Sequence, residues 1–414
     1  MLSYYKRDCC RYCGSQDLNK FISLGSHPPS NSFITSDQIL QEKKYPLDVY
    51  LCNECYLVQL LDVVSADTIF DDYHYLSSSS KALVNHFSVM TEDISHRFSL
   101  KPFDLVVDIG CNDGITLNNY PIEHLMKVGV EPSNVADIAM ASGLKVVKSF
   151  FSKKVANEIL NDYGQAKVIT ATNVFAHVDD MHSFMDGIPV LLDDDGVFII
   201  EVSYLIDLID NNLFDTIYHE HLCYLSLKPV INFVEKFKLD VFDVKRYNIG
   251  ASGPAIRFFI QKKDCPRKIS NSVNTLLKKE KNWGIESLKK YESFGKKVEA
   301  LKSETLDLIR QLKMSNATIG GFGAPAKGNT LLNYYDLNEE NIQFIADNTK
   351  LKQGKLTPGS HIPIISDEEF LIINFDYALL LSWNYKDFFL ENSDYIKNGG
   401  RFIIPLPHPH ILPE

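Results

Sequence analysis

The stretch Leu105-Val-Val-Asp108-Ile-Gly110-Cys-Asn112-Asp-Gly114-Ile-Thr116 decides the fold. Its first half is an apolar run broken by one carboxylate, and its second half is a turn punctuated by two glycines. A strand buried on both faces that meets a glycine loop and then a helix is the opening unit of a parallel sheet. Further apolar runs follow at Val128-Gly-Val-Glu131, Val168-Ile-Thr-Ala-Thr172 and Gly196-Val-Phe-Ile-Ile-Glu201, separated by helical stretches. Strands alternating with helices predict a doubly wound α/β unit. Gly110 and Gly114 let the backbone approach a ligand with no Cβ in the way. Glu131 closes the next strand, 21 residues after Gly110, where a carboxylate can accept both ribose hydroxyls. The spacing G-x-N-x-G departs from G-x-G-x-x-G and suits the amino-acid end of S-adenosylmethionine better than a pyrophosphate. A purely structural glycine turn is the competing reading.

On the N-terminal side, two of the chain's eight cysteines form Cys10-Arg-Tyr-Cys13 and two form Cys52-Asn-Glu-Cys55. Two C-x2-C knuckles suit a Zn²⁺ held by four thiolates. Four protein ligands leave no open position, which makes such a metal structural. A redox pair or coincidence is the alternative, and Cys9 beside Cys10 competes as a ligand. On the C-terminal side, residues 268–313 are rich in Lys and Glu. Leu288, Tyr291, Phe294, Val298, Leu301, Leu308 and Leu312 recur at helical spacing, predicting one long amphipathic helix with a solvated charged face. Beyond it, Ala317-Thr-Ile-Gly-Gly-Phe-Gly323, Ile342-Gln-Phe-Ile-Ala-Asp347 and Tyr377-Ala-Leu-Leu-Leu-Ser-Trp383 read as strands of a second α/β unit. Its loop Gly321-Phe-Gly323-Ala-Pro-Ala326-Lys327-Gly-Asn329 is a formal G-x-G-x-x-A match, with Asp347 closing the next strand, and by itself suggests NAD. Lys327 and Asn329 at a helix start suit a substrate diphosphate equally well.

The chain has 414 residues, which corresponds to about two to three domains. Lys and Arg number 42 against 53 Asp and Glu, a net charge of −11 that disfavours a nucleic-acid-coating or anionic-membrane protein. No segment approaches the ~18 apolar residues of a membrane span, and the first residues lack the apolar run of a signal peptide. The expectation is a cytoplasmic protein with no nucleic-acid or membrane partner.

Two histidine-bearing stretches carry the chemistry. Tyr218-His219-Glu220-His221 gathers four polar side chains and differs from the H-E-x-x-H zinc signature, because its histidines are two apart. Asn173-Val-Phe-Ala-His177 follows a strand of the first α/β unit, at the sheet edge where ligands bind. One histidine there would be structural more often than not; two imidazoles and a glutamate favour general acid–base work. A surface metal site is a minor alternative.

In this order, Cys10-Arg-x-Cys13-Gly, Cys52-x-x-Cys55, Tyr73-x-Tyr75-x-Ser-Ser, Asp108-Ile-Gly-Cys-Asn-Asp-Gly, Asn173-Val-Phe-Ala-His177, Tyr218-His-Glu-His221 and Gly323-Ala-Pro-Ala-Lys-Gly-Asn329 resemble the zinc-containing, S-adenosylmethionine-dependent C-methyltransferases of nucleotide-linked 4-keto-deoxysugars. The resemblance covers nearly the whole chain. It implies a zinc-binding domain over 1–70, a Rossmann-like class I methyltransferase core over 71–265, and a Rossmann-like C-terminal α/β domain over 266–414 that holds the nucleotide sugar. It weighs against NAD at the second loop and leaves a nucleotide-sugar oxidoreductase or an O- or N-methyltransferase as the alternatives. The implied cofactors are S-adenosylmethionine and one structural zinc on Cys10, Cys13, Cys52 and Cys55.

The implied base is His221, which takes the C3 proton of the keto sugar to give an enolate. Glu220, Tyr218, His177 and Tyr75 orient and stabilise it. Asp108, Gly110, Asn112, Gly114, Glu131 and Asn173 hold the cofactor, and Tyr73, Arg257, Lys327, Asn329 and Asp347 the substrate. One departure is Ser252-Gly-Pro-Ala-Ile-Arg257, which stands where the family shows a His-Gly-Gly-Ser-Leu-Arg-like stretch. A monomer is the expected state, with a weak dimer as the alternative.

Overall fold

The computed structural model describes residues 3–65, 69, 76–79, 81–248, 253–265 and 267–413. Tyr73 and Tyr75 lie outside the described residues. At the centre is a seven-stranded sheet in the order Leu239–Tyr247, Ala255–Lys262, Leu192–Ser203, Ala166–Thr172, Leu105–Ile109, Met126–Val130, Lys145–Val147. The five strands from 192–203 to 145–147 in this order run parallel, and 255–262 runs antiparallel to both of its neighbours. All five residues of Leu105–Ile109 are buried. Alternate side chains serve opposite faces. Val106 packs with Leu83, Phe87 and Ile94 of the helix Lys81–Arg97, whereas Val107 and Ile109 join the core of Val155, Ile159, Phe184 and Ile188 from two helices on the other side. Both faces being covered is why this strand reads as a continuous apolar run.

The N-terminal region forms a sheet of Leu18–His27, Tyr45–Cys52 and Val58–Leu60, and its fourth strand, Cys223–Tyr224, comes from far along the chain. One residue, Leu222, separates them from the Tyr218–His221 stretch. The sheet beside the two cysteine knuckles is therefore completed at one edge by a segment from the middle of the chain.

The expected single helix over 268–313 is two helices, Asn271–Trp283 and Leu288–Met314. Gly284 ends the first at φ +94°, a left-handed position that glycine adopts without a Cβ penalty. Within the second, Tyr291, Phe294, Val298, Leu301, Thr305 and Ile309 face inward, so Leu308 and Leu312 lie at the edge of the stripe rather than in it. The C-terminal sheet has the order Ile364–Ile365, Ile345–Ala346, Ile319–Phe322, Tyr377–Leu380, Arg401–Ile404, His410–Leu412, with only the last strand antiparallel. Phe322, Phe370, Phe375 and Phe402 fill one side of it.

Candidate active site

The chain that leaves Leu105–Ile109 turns through Gly110 at φ +69°, Asn112 at +50° and Gly114 at +85°. This loop lies where the strand order reverses, with 126–130 on one side and 166–172 on the other, so a crevice opens at the carboxyl ends of the strands. A Cβ on Gly110 would sit 2.2 Å from Val174 Cγ2, so the loop must be glycine there to let the 173–180 loop close over it. The Glu131 carboxylate accepts from Asn112 N–H at 3.1 Å and from Ser133 N–H at 2.9 Å, which fixes its direction at the crevice. Asp108 accepts from Thr170 Oγ1 at 2.5 Å, and burial pushes its carboxyl up to about 7.

A cleft of about 420 Å³ runs from Asp108, Gly110, Asn112 and Glu131 past Asn173 to His177, His219 and Glu220. Its volume falls in the range that takes a small ligand or cofactor. The glycine turn, the oriented Glu131 and the aromatic walls of Phe150, Phe151 and Phe184 fit S-adenosylmethionine, with a carboxylate for the ribose and apolar surface for the base. The two phenylalanines after Lys145–Val147 were not anticipated, although the end of a parallel strand is where such a residue belongs.

At the far end of the cleft the two histidine stretches meet. The rings of His177 and His221 stack at 5.0 Å between centroids, and Tyr218 lies 3.9 Å from His221. His221 Nδ1 is 2.7 Å from the Thr216 carbonyl, which can only accept. Nδ1 therefore carries the proton, and Nε2 holds the lone pair. Burial pulls His221 down to about 4 and His177 well below the ordinary value, the latter with a smaller effect from His221. Both rings are neutral at pH 7. Glu220 is buried, accepts from Asn31 Nδ2 at 2.6 Å, and is pushed up to about 7 by burial. His219 also lines the cleft, and its Nε2 reaches the Pro46 carbonyl at 3.2 Å, tying the stretch to the N-terminal sheet. Nothing in the sequence pointed to Asn31, because its partner is 189 residues away.

The four knuckle sulfurs all lie within 4.8 Å of one another, and Cys9 stands outside the group. Each knuckle is closed the same way, by Gly14 N–H on the Cys10 carbonyl at 2.9 Å and by Tyr56 N–H on the Cys52 carbonyl at 3.0 Å. Thiolates on tetrahedral zinc at about 2.3 Å stand about 3.8 Å apart, and Cys10–Cys55 and Cys13–Cys52 are each 3.5 Å here. Burial and neighbouring sulfurs push Cys13 up to about 11 while hydrogen bonds pull Cys10 down to about 2. Four cysteine sulfurs gathered from two tight turns at this spacing are the donor set that tetrahedral Zn²⁺ takes.

Four of the expected substrate residues do not line the cleft. Arg257 is fully buried and grips Glu201 through Nε at 2.8 Å and Nη2 at 2.6 Å, with Nη1 on Tyr247 Oη at 2.8 Å. His86 completes that network at 2.6 Å from Glu201. Lys327 is buried with its ammonium on Asn384 and 4.2 Å from the Trp383 ring; burial pulls it down to about 8, with Asp215 opposing. Asn329 donates to the Ser30 carbonyl at 2.7 Å. Asp347 accepts from Ala324 N–H at 2.7 Å and Thr349 N–H at 2.9 Å, as Glu131 does in the first unit. The neighbouring Thr330 hydroxyl donates to the Ile217 carbonyl at 3.1 Å, so the helix Ala326–Tyr335 buttresses the histidine stretch from the C-terminal side. Gly114 lies at the base of the first loop against Leu144.

Sheet order, crevice loop and four-cysteine knuckle define an S-adenosylmethionine-dependent methyltransferase with a zinc module. Family models match three successive stretches: a zinc binding domain at 10–70, a methyltransferase domain at 85–243 and a C-methyltransferase C-terminal domain at 250–407. The sequence is 35% identical over 408 residues to the C-methyltransferase NovU of Streptomyces niveus, spanning 98% of this chain and 97% of that one. An S-adenosylmethionine-dependent methyltransferase structure from Clostridium acetobutylicum aligns with 43% of this chain and 92% of its own at 12% identity and TM-score 0.33. One from Anabaena variabilis covers 43% and 84% at 14% identity and TM-score 0.34. The chain belongs to the family of zinc-domain-containing, S-adenosylmethionine-dependent C-methyltransferases.

Proposed function

We propose that the methyl acceptor is a carbon, C3, of a nucleotide-linked 4-keto-deoxysugar, and that His221 is the base that exposes it. The observation that carries this reading is the tautomer of His221. Its Nδ1 is committed to the Thr216 carbonyl, which leaves the lone pair on Nε2, and its neutral ring stacks on that of His177, which lines the end of the cofactor cleft while His221 lies behind it. When bound, S-adenosylmethionine supplies an electrophilic methyl group. Carbon becomes nucleophilic toward it only as a carbanion equivalent, and a carbonyl next to a C–H bond provides one as an enolate. His221 Nε2 takes the C3 proton, and the C3–H electron pair enters the enolate. His177 and Tyr218 crowd His221 and hold it in register with the sugar. Tyr75 and Tyr73 are assigned to the sugar hydroxyls, and the nucleotide end is assigned to Lys327 with Asn329 and Asp347 shaping its loop. Arg257 acts from beneath, through Glu201.

A second reading has its own observation. Glu220 lines the cleft directly, and its carboxyl titrates near operating pH, as a general base should. Incubation with S-adenosylmethionine and a panel of nucleotide 4-keto-sugars, read by mass spectrometry, tests the acceptor. A gain of one methyl on carbon is expected. Methylation confined to oxygen or nitrogen acceptors overturns it.

A further inference from the structure

We propose that Arg11 and Asp179 are positioning residues that carry the geometry of the zinc knuckle into the histidine pair. This rests on the reading of His177 and His221 as the acid–base centre. Arg11 sits between two zinc ligands, Cys10 and Cys13, and its side chain is wholly buried. From there it reaches the His177 loop directly and the His221 stretch through the strand Val58–Leu60. Its Nε donates to Asp179 Oδ1 at 3.0 Å, two residues beyond His177. Its backbone N–H and Nη1 donate to Gln59 Oε1 at 3.1 and 3.2 Å, and Nη1 also bonds the Leu60 carbonyl. Gln59 pairs with Cys223 across the N-terminal sheet, and Leu60 N–H donates to the Leu222 carbonyl at 2.9 Å, immediately after His221.

One guanidinium, set between two cysteines of the knuckle, thus touches the loop of His177 directly and is tied through Gln59 and Leu60 to the residues that follow His221. Asp179 is the other half of the device. It also receives Arg7 Nη1 at 3.2 Å and the Tyr5 hydroxyl, so three donors from the N-terminal region converge on a single carboxylate. The loop that ends in Asp179 is tied at its start by Asn173 N–H on the Glu201 carbonyl at 2.7 Å, and the next residue, Asp180, caps the helix Met181–Leu191 through Ser183 N–H at 3.0 Å. His177 lies between these anchors. An acid–base centre displaced by about 1 Å loses on the order of a hundredfold in rate. The anchors fix it, and the zinc module supplies one of them.

The test uses the full-length, zinc-loaded protein with Asp179→Ala, Asp179→Asn and Asp179→Glu. Four quantities are measured: zinc content, S-adenosylmethionine affinity by calorimetry, kcat and KM for the nucleotide keto sugar, and the histidine imidazole signals by NMR. Asp179→Ala is expected to keep one zinc per chain and a cofactor Kd within about threefold. Its kcat should fall about a hundredfold, with the His177 signals shifted. Asp179→Glu should recover most of the rate, and Asp179→Asn, which keeps the shape, gives the result if the alanine variant does not fold. Unmoved imidazole signals together with wild-type kcat overturn the proposal. So does a cofactor affinity that falls as far as kcat, which would put Asp179 on the cofactor instead. Absence of wild-type turnover on every nucleotide keto sugar sinks the acceptor assignment alone, since the imidazole signals still decide the latch.

Discussion

The pH dependence of methyl transfer separates the two candidate bases, because burial drives their acidities in opposite directions. His221 is held near 4 and Glu220 near 7. A base works in its deprotonated form. At pH 6 a group of pKa 4 is about 99% in that form, and at pH 8 it is essentially complete, a change of about 1%. A group of pKa 7 goes from about 9% at pH 6 to about 91% at pH 8, a tenfold rise. Initial rates under saturating S-adenosylmethionine, taken at half-unit steps between these limits, are expected to be flat for the wild type. His221→Ala should lose about 10²–10⁴-fold, or about 3–5 kcal/mol of transition-state stabilisation, with cofactor affinity preserved. Exchange of the C3 proton with deuterated solvent in the presence of S-adenosylhomocysteine should vanish in the same variant. A tenfold rise from pH 6 to 8 that disappears in Glu220→Gln, with near-normal turnover in His221→Ala, would refute the His221 assignment and install Glu220.

Three further outcomes follow from the packing. Replacing Cys52 and Cys55 by Ser should release the zinc, measured by elemental analysis, and loosen the sheet that Cys223–Tyr224 completes; structural zinc contributes on the order of 10–16 kcal/mol in small domains, so full metal retention would contradict the ligand set. Arg257→Met should destabilise the fold by about 3–5 kcal/mol in denaturant titrations, because it strands the buried Glu201 carboxylate, whereas unchanged stability would return Arg257 to a purely substrate-facing role. Lys327→Ala should raise KM for the nucleotide sugar about ten- to a hundredfold and leave cofactor binding intact, as expected for a lost charge-assisted phosphate bond of roughly 1.5–3 kcal/mol; an unchanged KM would leave Lys327 as packing against Trp383.

What the sequence made legible is what depends on short-range pattern. The run from Leu105 to Gly114 announces a buried strand and its loop because both faces of that strand are covered and the turn needs positive φ. The knuckles announce themselves because two thiolates on one metal must come from a tight turn. The break at Gly284 was visible as a residue, yet the lysine- and glutamate-rich flanks continued the helical period on both sides and concealed it. Arg257, Lys327 and Asp347 show the other limit. A charged residue in a motif says that its charge matters, while its partner is set by tertiary contacts. In the fold, Glu201, Asp215 and two loop amides are those neighbours.

The working end of the cleft is the least local part of all. Its histidine stretch is held by Pro46 and Asn31 from the N-terminal region, by Thr330 from the C-terminal unit, and by a strand pairing with Val58–Leu60. None of these contacts spans fewer than 100 residues, so no periodicity or spacing could reveal them. They also explain why the chain carries three regions for one reaction. The central sheet alone provides the cofactor crevice and His177, but the polypeptide from Phe214 to Tyr224 has little regular structure of its own. In the fold the zinc-knuckle sheet and the helix Ala326–Tyr335 hold it from both sides. Loss of either flanking region should therefore abolish methyl transfer before it abolishes cofactor binding, and calorimetry alongside turnover in the zinc-free protein distinguishes that order from simple unfolding.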